Sequence, residues 1–248
     1  EQLPGIYAKL YPGANGFVFT FVGNIAPETL KPLAEKYIGS IPAARKPLNY
    51  VDDKVEPVKG EVAEEFTAPM QQPKVSVVYY FSGKMPYTFK DKVALTFLTQ
   101  ALDSRYLISI REEKGGTYGV NVQGSTEYIP RETYDMTISF DTNEEMADEL
   151  CEIVMKEIEE IAANGPRSED IEKTREFMLK SWKNSLEMNS GWMNYIQAKY
   201  GSGLDYVGQY EQAVRNLTNA DVQALAKKLL ADGNLVKVIM RPAKEKEK

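Results

Sequence analysis

The sequence predicts an α+β fold, and two observations carry that expectation. Residues 132–141 alternate strictly: Tyr134, Met136, Ile138 and Phe140 fall on one side of the chain and Asp135, Thr137, Ser139 and Asp141 on the other, the period of a half-buried strand. Residues 144–163 instead bring Met146, Leu150, Ile153, Val154, Ile158 and Ile161 together at helical spacing. Both patterns recur along the chain.

Taken in order, "GFVFTFVGN" at 16–24 reads as a strand, and 26–42 follows with Leu30, Leu33 and Tyr37 or Ile38 spaced for a helix that closes on Gly39 and Pro42. Residues 43–73 scatter Pro47, Pro57, Gly60, Pro69 and Pro73 among charges, the composition of a linker, with a short possible strand around 61–67. "KVSVVYYFSG" at 74–83 is a β-branched and aromatic strand. A helix over 90–113 follows, with Ala94, Phe97, Leu98, Ala101, Leu102 and Ile108 as candidate core residues.

Two strands, about 116–126 and 132–141, meet at a turn marked by Pro130. The helix at 144–163 starts after Asn143 with acidic residues in its first turn, where they favour the helix dipole, and stops at "NGP". Ser168 is expected to cap a helix reaching about 189 with Ile171, Met178, Trp182 and Leu186 on one face; more helices near 191–200, 205–216 and 219–231 precede a last strand at 234–240.

At 248 residues, with 43% apolar and 27% charged residues, the chain is an ordinary globular one, long enough for one large domain or two modest ones. Its net charge of −6 and the lack of a basic block argue against a nucleic-acid partner, which would need lysines and arginines to neutralise phosphates. The C-terminal "KEKEK" reads as a solvated tail. No apolar run approaches the roughly 20 residues that span a bilayer. The first residues, "EQLPGIYAKL", lack the pattern of a signal peptide, so any targeting segment is expected to have been removed or to lie upstream.

Cys151 is the single cysteine and shares a helical stripe with Ala147, Val154 and Ile158, which makes it a buried structural thiol. Histidine is absent altogether. That excludes Ser-His-Asp and Cys-His catalysis and every metal site built on imidazole, so no metal site is expected in this chain.

A weak internal similarity bears on domain organisation. "AKLYPGANGFVFTFV" (8–22) can be laid on "AKKLLADGNLVKVIM" (226–240), each an Ala-Lys helix end, a Gly/Asn turn and an apolar strand. On that basis the chain begins at the tail of one unit and ends at the same point of the next. Residues 1–45 are then the tail of a preceding unit, 46–73 a crossover, and 74–248 a second unit.

The chemistry concentrates in "SIREEKGGTYGV" (109–120), where a helix gives way to glycines and a strand. Arg111 offers a permanently charged planar fork and Tyr118 a neutral hydroxyl donor; together they can bind a developing oxyanion without changing protonation. They cannot supply a nucleophile. By spacing alone the plainer reading stands beside it: Arg111 exposed in a last helical turn, and Tyr118 a strand residue in phase with Val120 and Val122. Glu112 and Glu113 are adjacent and point apart, so they read as a solvated helix end. The glycines of "GGTYGVNVQG" match neither a phosphate loop nor a dinucleotide fingerprint.

Three segments together resemble the pitrilysin/insulinase zinc peptidases, the inverzincins: "FTFVGNIAPETLKPLAEKYIGSIPA" (19–43), "YLISIREEKGGTYGVNV" (106–122) and "TNADVQALAKKLLADGNLVKVIM" (218–240). The resemblance implies homologous α+β units, each a mainly antiparallel sheet with helices on one face, whose two halves close around a peptide. It places the zinc on an inverted His-x-x-Glu-His motif in the N-terminal half, which this chain, without histidine, cannot be. It implies that Arg111 and Tyr118 are the catalytic and substrate-binding pair that reaches the scissile carbonyl, while zinc in the missing half activates water. The implied partners are that N-terminal half, in the same polypeptide or a companion subunit, and a peptide substrate. The implied location is extracytoplasmic, the periplasm of a bacterium. Related subunits share the fold without activity, so a non-catalytic peptide-binding or assembly module is the alternative.

Overall fold

The computed structural model of the protein describes residues 2–43, 51–112, 114–115, 117 and 119–243. Glu113, Tyr118 and the tail at 244–248 lie outside the described residues. The helices are α1 (Leu3–Leu10), α2 (Pro27–Tyr37), α3 (Phe89–Tyr106), α4 (Ala147–Asn164), α5 (Ser168–Ser185), α6 (Asn189–Ser202), α7 (Tyr210–Asn216) and α8 (Asn219–Asp232). The strands are β1 (Glu61–Ala68), β2 (Val75–Lys84), β3 (Val120–Glu127), β4 (Thr133–Thr142) and β5 (Leu235–Pro242).

The strands form one sheet in the order β1-β5-β2-β4-β3. β2 runs antiparallel to both β4 and β5, and β3 antiparallel to β4; only β1 and β5 pair in parallel. β1 is the short strand expected near 61–67, and it is built into the sheet. The sheet thus draws eight residues from the stretch expected as crossover.

Alternation decides which face is covered. Val75, Val77, Tyr79 and Phe81 of β2 and Tyr134, Met136, Ile138 and Phe140 of β4 are buried on one face, with Leu235 and Ile239 of β5. That face meets α3, α4 and α8, while α5 packs outside α3 and against α7. The opposite face, bearing Ser76, Val78, Asn121 and Ser139, stays at the surface. A mainly antiparallel sheet with helices on one face is therefore what forms, because each strand has a single apolar side to bury.

Polar anchors lock the layers. The hydroxyls of Tyr79 and Tyr106 donate to the α4 carbonyls of Cys151 and Val154 at 3.1 and 2.9 Å. Cys151 itself is buried, as expected. Arg175 of α5 caps the end of α7, its guanidinium donating to the carbonyls of Val214, of Arg215 at 3.0 Å and of Leu217 at 2.9 Å. Those carbonyls have no partner within their own helix, so a cation there satisfies bonds and dipole together. Arg241 of β5 binds Glu65, Glu144 and Asp148 at 2.7–2.8 Å and so ties β1 to the start of α4.

Three expectations need correction. Residues 16–24 form no strand: Phe17, Val18, Phe19 and Phe21 are exposed, and neither α1 nor α2 buries a residue. A strand is held by pairing to a neighbour, and no strand of the described sheet pairs with this run. Ser168 is the first residue of α5 rather than its cap, and its hydroxyl instead accepts from the Asn219 amide at 3.0 Å. Ile108 is only half-buried, whereas Ile110 is fully buried. Ile110 lies four residues from the buried Tyr106 and shares its face, whereas Ile108 lies about half a turn away, in the segment that leads to the candidate site.

Candidate functional site

Thr88 starts α3, its hydroxyl accepting the backbone N–H of Asp91 at 3.2 Å. The helix runs beneath the sheet to Tyr106 and then widens into a π-helical segment, Leu107–Glu112. Tyr106 and Ile110, four residues apart, both face the core, while Ile108 between them is half-buried. Arg111, next to the buried Ile110, is thereby directed outward and exposed. Among the described residues its guanidinium has neither a carboxylate nor a carbonyl partner.

The loop that follows is tied at several points. The Gly115 N–H donates to the Arg111 carbonyl at 3.1 Å, with Gly115 at φ +65°. Lys114 pairs with Glu149 of α4 at 2.6 Å. Thr117 Oγ1 donates to the Gly119 carbonyl at 3.1 Å and accepts the Gly119 N–H at 3.3 Å, and β3 begins one residue later. Tyr118 sits between these two bonded residues in sequence but lies outside the described residues, so of the expected pair the structure describes Arg111 alone.

The loop borders two hollows on the uncovered sheet face, one of about 330 Å³ beside Ser76, Gly119 and Ser139, the other of about 610 Å³ beside Lys74 and Asn143. Thr117 and Asp141 line both. Asp141 Oδ2 accepts from Lys74 Nζ and Oδ1 from Ser76 Oγ, each at 2.6 Å. Partial burial would raise this carboxyl, but the bonds from Lys74 and Ser76 outweigh it and hold Asp141 below its ordinary range. Sequence reasoning missed these groups. The alternation of β4 put Asp141 on the polar side, but only the pairing of β2 with β4 brings Ser76 opposite it.

Among the described residues no group of three or more histidines, cysteines, aspartates or glutamates comes together to hold a metal ion. The donor set here does not fit zinc, and the chemistry available is cationic and hydrogen-bonding.

Residues 1–178 match the family described as "Peptidase M16 inactive domain", a match that spans the N-terminal helices, the π-helical segment and the loop after it. The chain belongs to that family. This M16 inactive domain is 27% identical over 203 residues to a zinc protease PQQL-like protein of Arabidopsis thaliana, covering 75% of this chain and 21% of the relative. Its fold matches the crystal structure of the periplasmic protease PqqL from Escherichia coli with a TM-score of 0.74 at 20% identity, over 89% of this chain and 25% of that one. It also matches the structure of the first half of the same protease, with a TM-score of 0.72 at 12% identity, over 90% of this chain and 50% of that one. The M16 inactive domain thus spans about a quarter or less of the length of these zinc protease relatives. The family resemblance seen in the sequence holds, and the fold also matches the first half of the bacterial protease.

Among the described residues no helix is long and apolar enough to cross a membrane.

Proposed function

We propose that this M16 inactive domain is the metal-free part of a zinc metalloendopeptidase, which closes over a peptide and binds the scissile carbonyl through Arg111 and Tyr118. The observation that carries this reading is Arg111: an exposed guanidinium in the π-helical segment, without a partner among the described residues, at the root of the loop to Tyr118. A cation left unpaired at the surface is available to a ligand.

The two side chains have separate tasks. The Arg111 fork attracts the carbonyl oxygen as it gains negative charge, and the Tyr118 hydroxyl donates a hydrogen bond to the same oxygen. Neither changes protonation, which suits groups that bind charge rather than move protons. Zinc in the other half supplies the activation of water. On this reading the chain alone is inactive, since no metal ligand set comes together among the described residues.

Residues 1–45 are, in this proposal, the closing element of a preceding unit, with 46–73 leading into the unit at 74–248. The exposed Phe17, Val18, Phe19 and Phe21 support it, as an apolar run with the composition of a strand that pairs with no strand of the described sheet. The partner is the zinc-bearing N-terminal half, in the same polypeptide or a companion subunit. An extracytoplasmic location is supported by the E. coli relative, whose structure is described as that of a periplasmic protease.

The test is peptide hydrolysis by the intact protease that carries this chain. Arg111→Ala and Tyr118→Phe should each slow turnover by on the order of 100-fold, the usual consequence of losing one oxyanion donor. Unchanged turnover in both variants would sink the assignment and leave a peptide-binding or assembly module.

A further inference from the structure

The uncovered sheet face carries a second constellation beside the Tyr118 loop. Ser76 and Asp141 are register partners across β2 and β4, and Phe140 pairs with Val120 at the start of β3. Carrying that register one residue further sets Asp141 alongside Gly119, the neighbour of Tyr118 in sequence. Both hollows at this point are lined by Asp141 and by Thr117, the residue on the other side of Tyr118. The side chains of Lys74 and Asp141 are 50% and 53% exposed, so the pair is open to a ligand while bound to each other.

We propose that Lys74, Ser76 and Asp141 form a charge-balanced subsite that receives an uncharged polar side chain of the substrate next to the bond being cut, and that they set specificity there. The proposal rests on the reading of Arg111 and Tyr118 given above. Thr117 and Gly119, the neighbours of Tyr118 in sequence, line the hollow beside Ser76, so a peptide bound through that loop comes within reach of it. That hollow is about 330 Å³, and Lys74 reaches Asp141 from the adjoining one of about 610 Å³, with Asp141 lining both.

The chemistry follows from how the pair is bonded. Both Asp141 oxygens are engaged, one by Lys74 and one by Ser76. An ammonium has three N–H donors, and the bond to Asp141 uses one. The subsite therefore offers N–H donors without net charge. An amide or hydroxyl side chain gains hydrogen bonds, whereas a carboxylate or ammonium meets one attractive and one repulsive charge at similar distance.

Breaking the balance gives a test with a sign. In the intact protease, kcat/KM is measured for peptides that differ only in carrying Gln, Glu or Lys at the residues flanking the cut. The unaltered protein should prefer Gln and treat Glu and Lys about equally. Asp141→Asn leaves Lys74 uncompensated and should favour Glu over Lys by about tenfold; Lys74→Met leaves Asp141 and should favour Lys over Glu by a similar factor. Glu-to-Lys ratios that stay put in both variants, or shift the same way, would overturn the subsite. Arg111→Ala is run beside them: a large loss there with unmoved ratios removes the subsite alone, whereas full activity in Arg111→Ala removes the reading beneath it as well.

Discussion

The carbonyl oxygen of Arg111 accepts the backbone N–H of Gly115 at 3.1 Å, and Gly115 adopts φ +65° to donate it. This left-handed residue turns the chain from the π-helical segment toward β3, so it sets where the loop bearing Tyr118 begins. A Cβ at Gly115 would meet nothing within 4 Å, which leaves backbone strain as the only cost of a side chain there. Gly115→Val should cost about 1–2 kcal/mol locally and slow peptide hydrolysis by the intact protease about tenfold, with unchanged far-ultraviolet circular dichroism. Wild-type kcat/KM in this variant would show that the turn does not position the site.

Gly83 tests the opposite case, a glycine required by packing. On the helix-covered face of β2, a Cβ at this position would lie 2.5 Å from the Tyr134 ring and collide with the Asp232 carboxylate. Those two groups are themselves bonded, Tyr134 Oη donating to Asp232 at 3.0 Å while Lys228 holds the same carboxylate at 2.8 Å. Gly83→Val should therefore lower stability by about 2–3 kcal/mol in urea denaturation. Gly119→Ala, where a Cβ meets nothing within 4 Å, should change it by less than about 1 kcal/mol.

The Arg105–Glu157 pair joins α3 to α4 at 2.9 Å, with side chains only 7% and 18% exposed. Removing one charge leaves the other in a poorly solvated site. Glu157→Gln should cost about 3 kcal/mol, whereas converting both residues to methionine should come out near neutral, and the difference is read from a double-mutant cycle of denaturation midpoints.

Alkaline pH should expose the buried tyrosines. Burial pushes the hydroxyls of Tyr79, Tyr106 and Tyr134 well above their usual value of 10.0. Their folded forms hold a proton that the unfolded chain releases, so this stabilisation is complete below about pH 10 and is lost as pH rises above it. The thermal midpoint should fall steeply between about pH 10 and pH 12, and less steeply in a Tyr79→Phe, Tyr106→Phe double variant. Equal slopes in the two proteins would contradict the assignment.

Much of the fold was legible because it is written in local periodicity. The alternation of 132–141 and the helical stripe of 144–163 appear as β4 and α4 within a few residues of their expected bounds. Arg111 stood out too, through a motif that resembles one in a peptidase family, and the structure leaves it exposed. The π turn was not legible, since the apolar residues of 90–113 fit an ordinary helix.

The sequence by itself determined that 132–141 is extended and 144–163 helical, which side of each is apolar, and, by lacking histidine, that this chain offers no imidazole metal ligand. Tertiary structure decided what no local pattern contains: that β1 joins β5 in parallel, that Ser76 and Lys74 converge on Asp141, and that 16–24 finds no strand to pair with. The reason is that strand pairing and ion pairing join residues far apart in sequence. Each depends on which partner the folded chain brings within hydrogen-bonding distance.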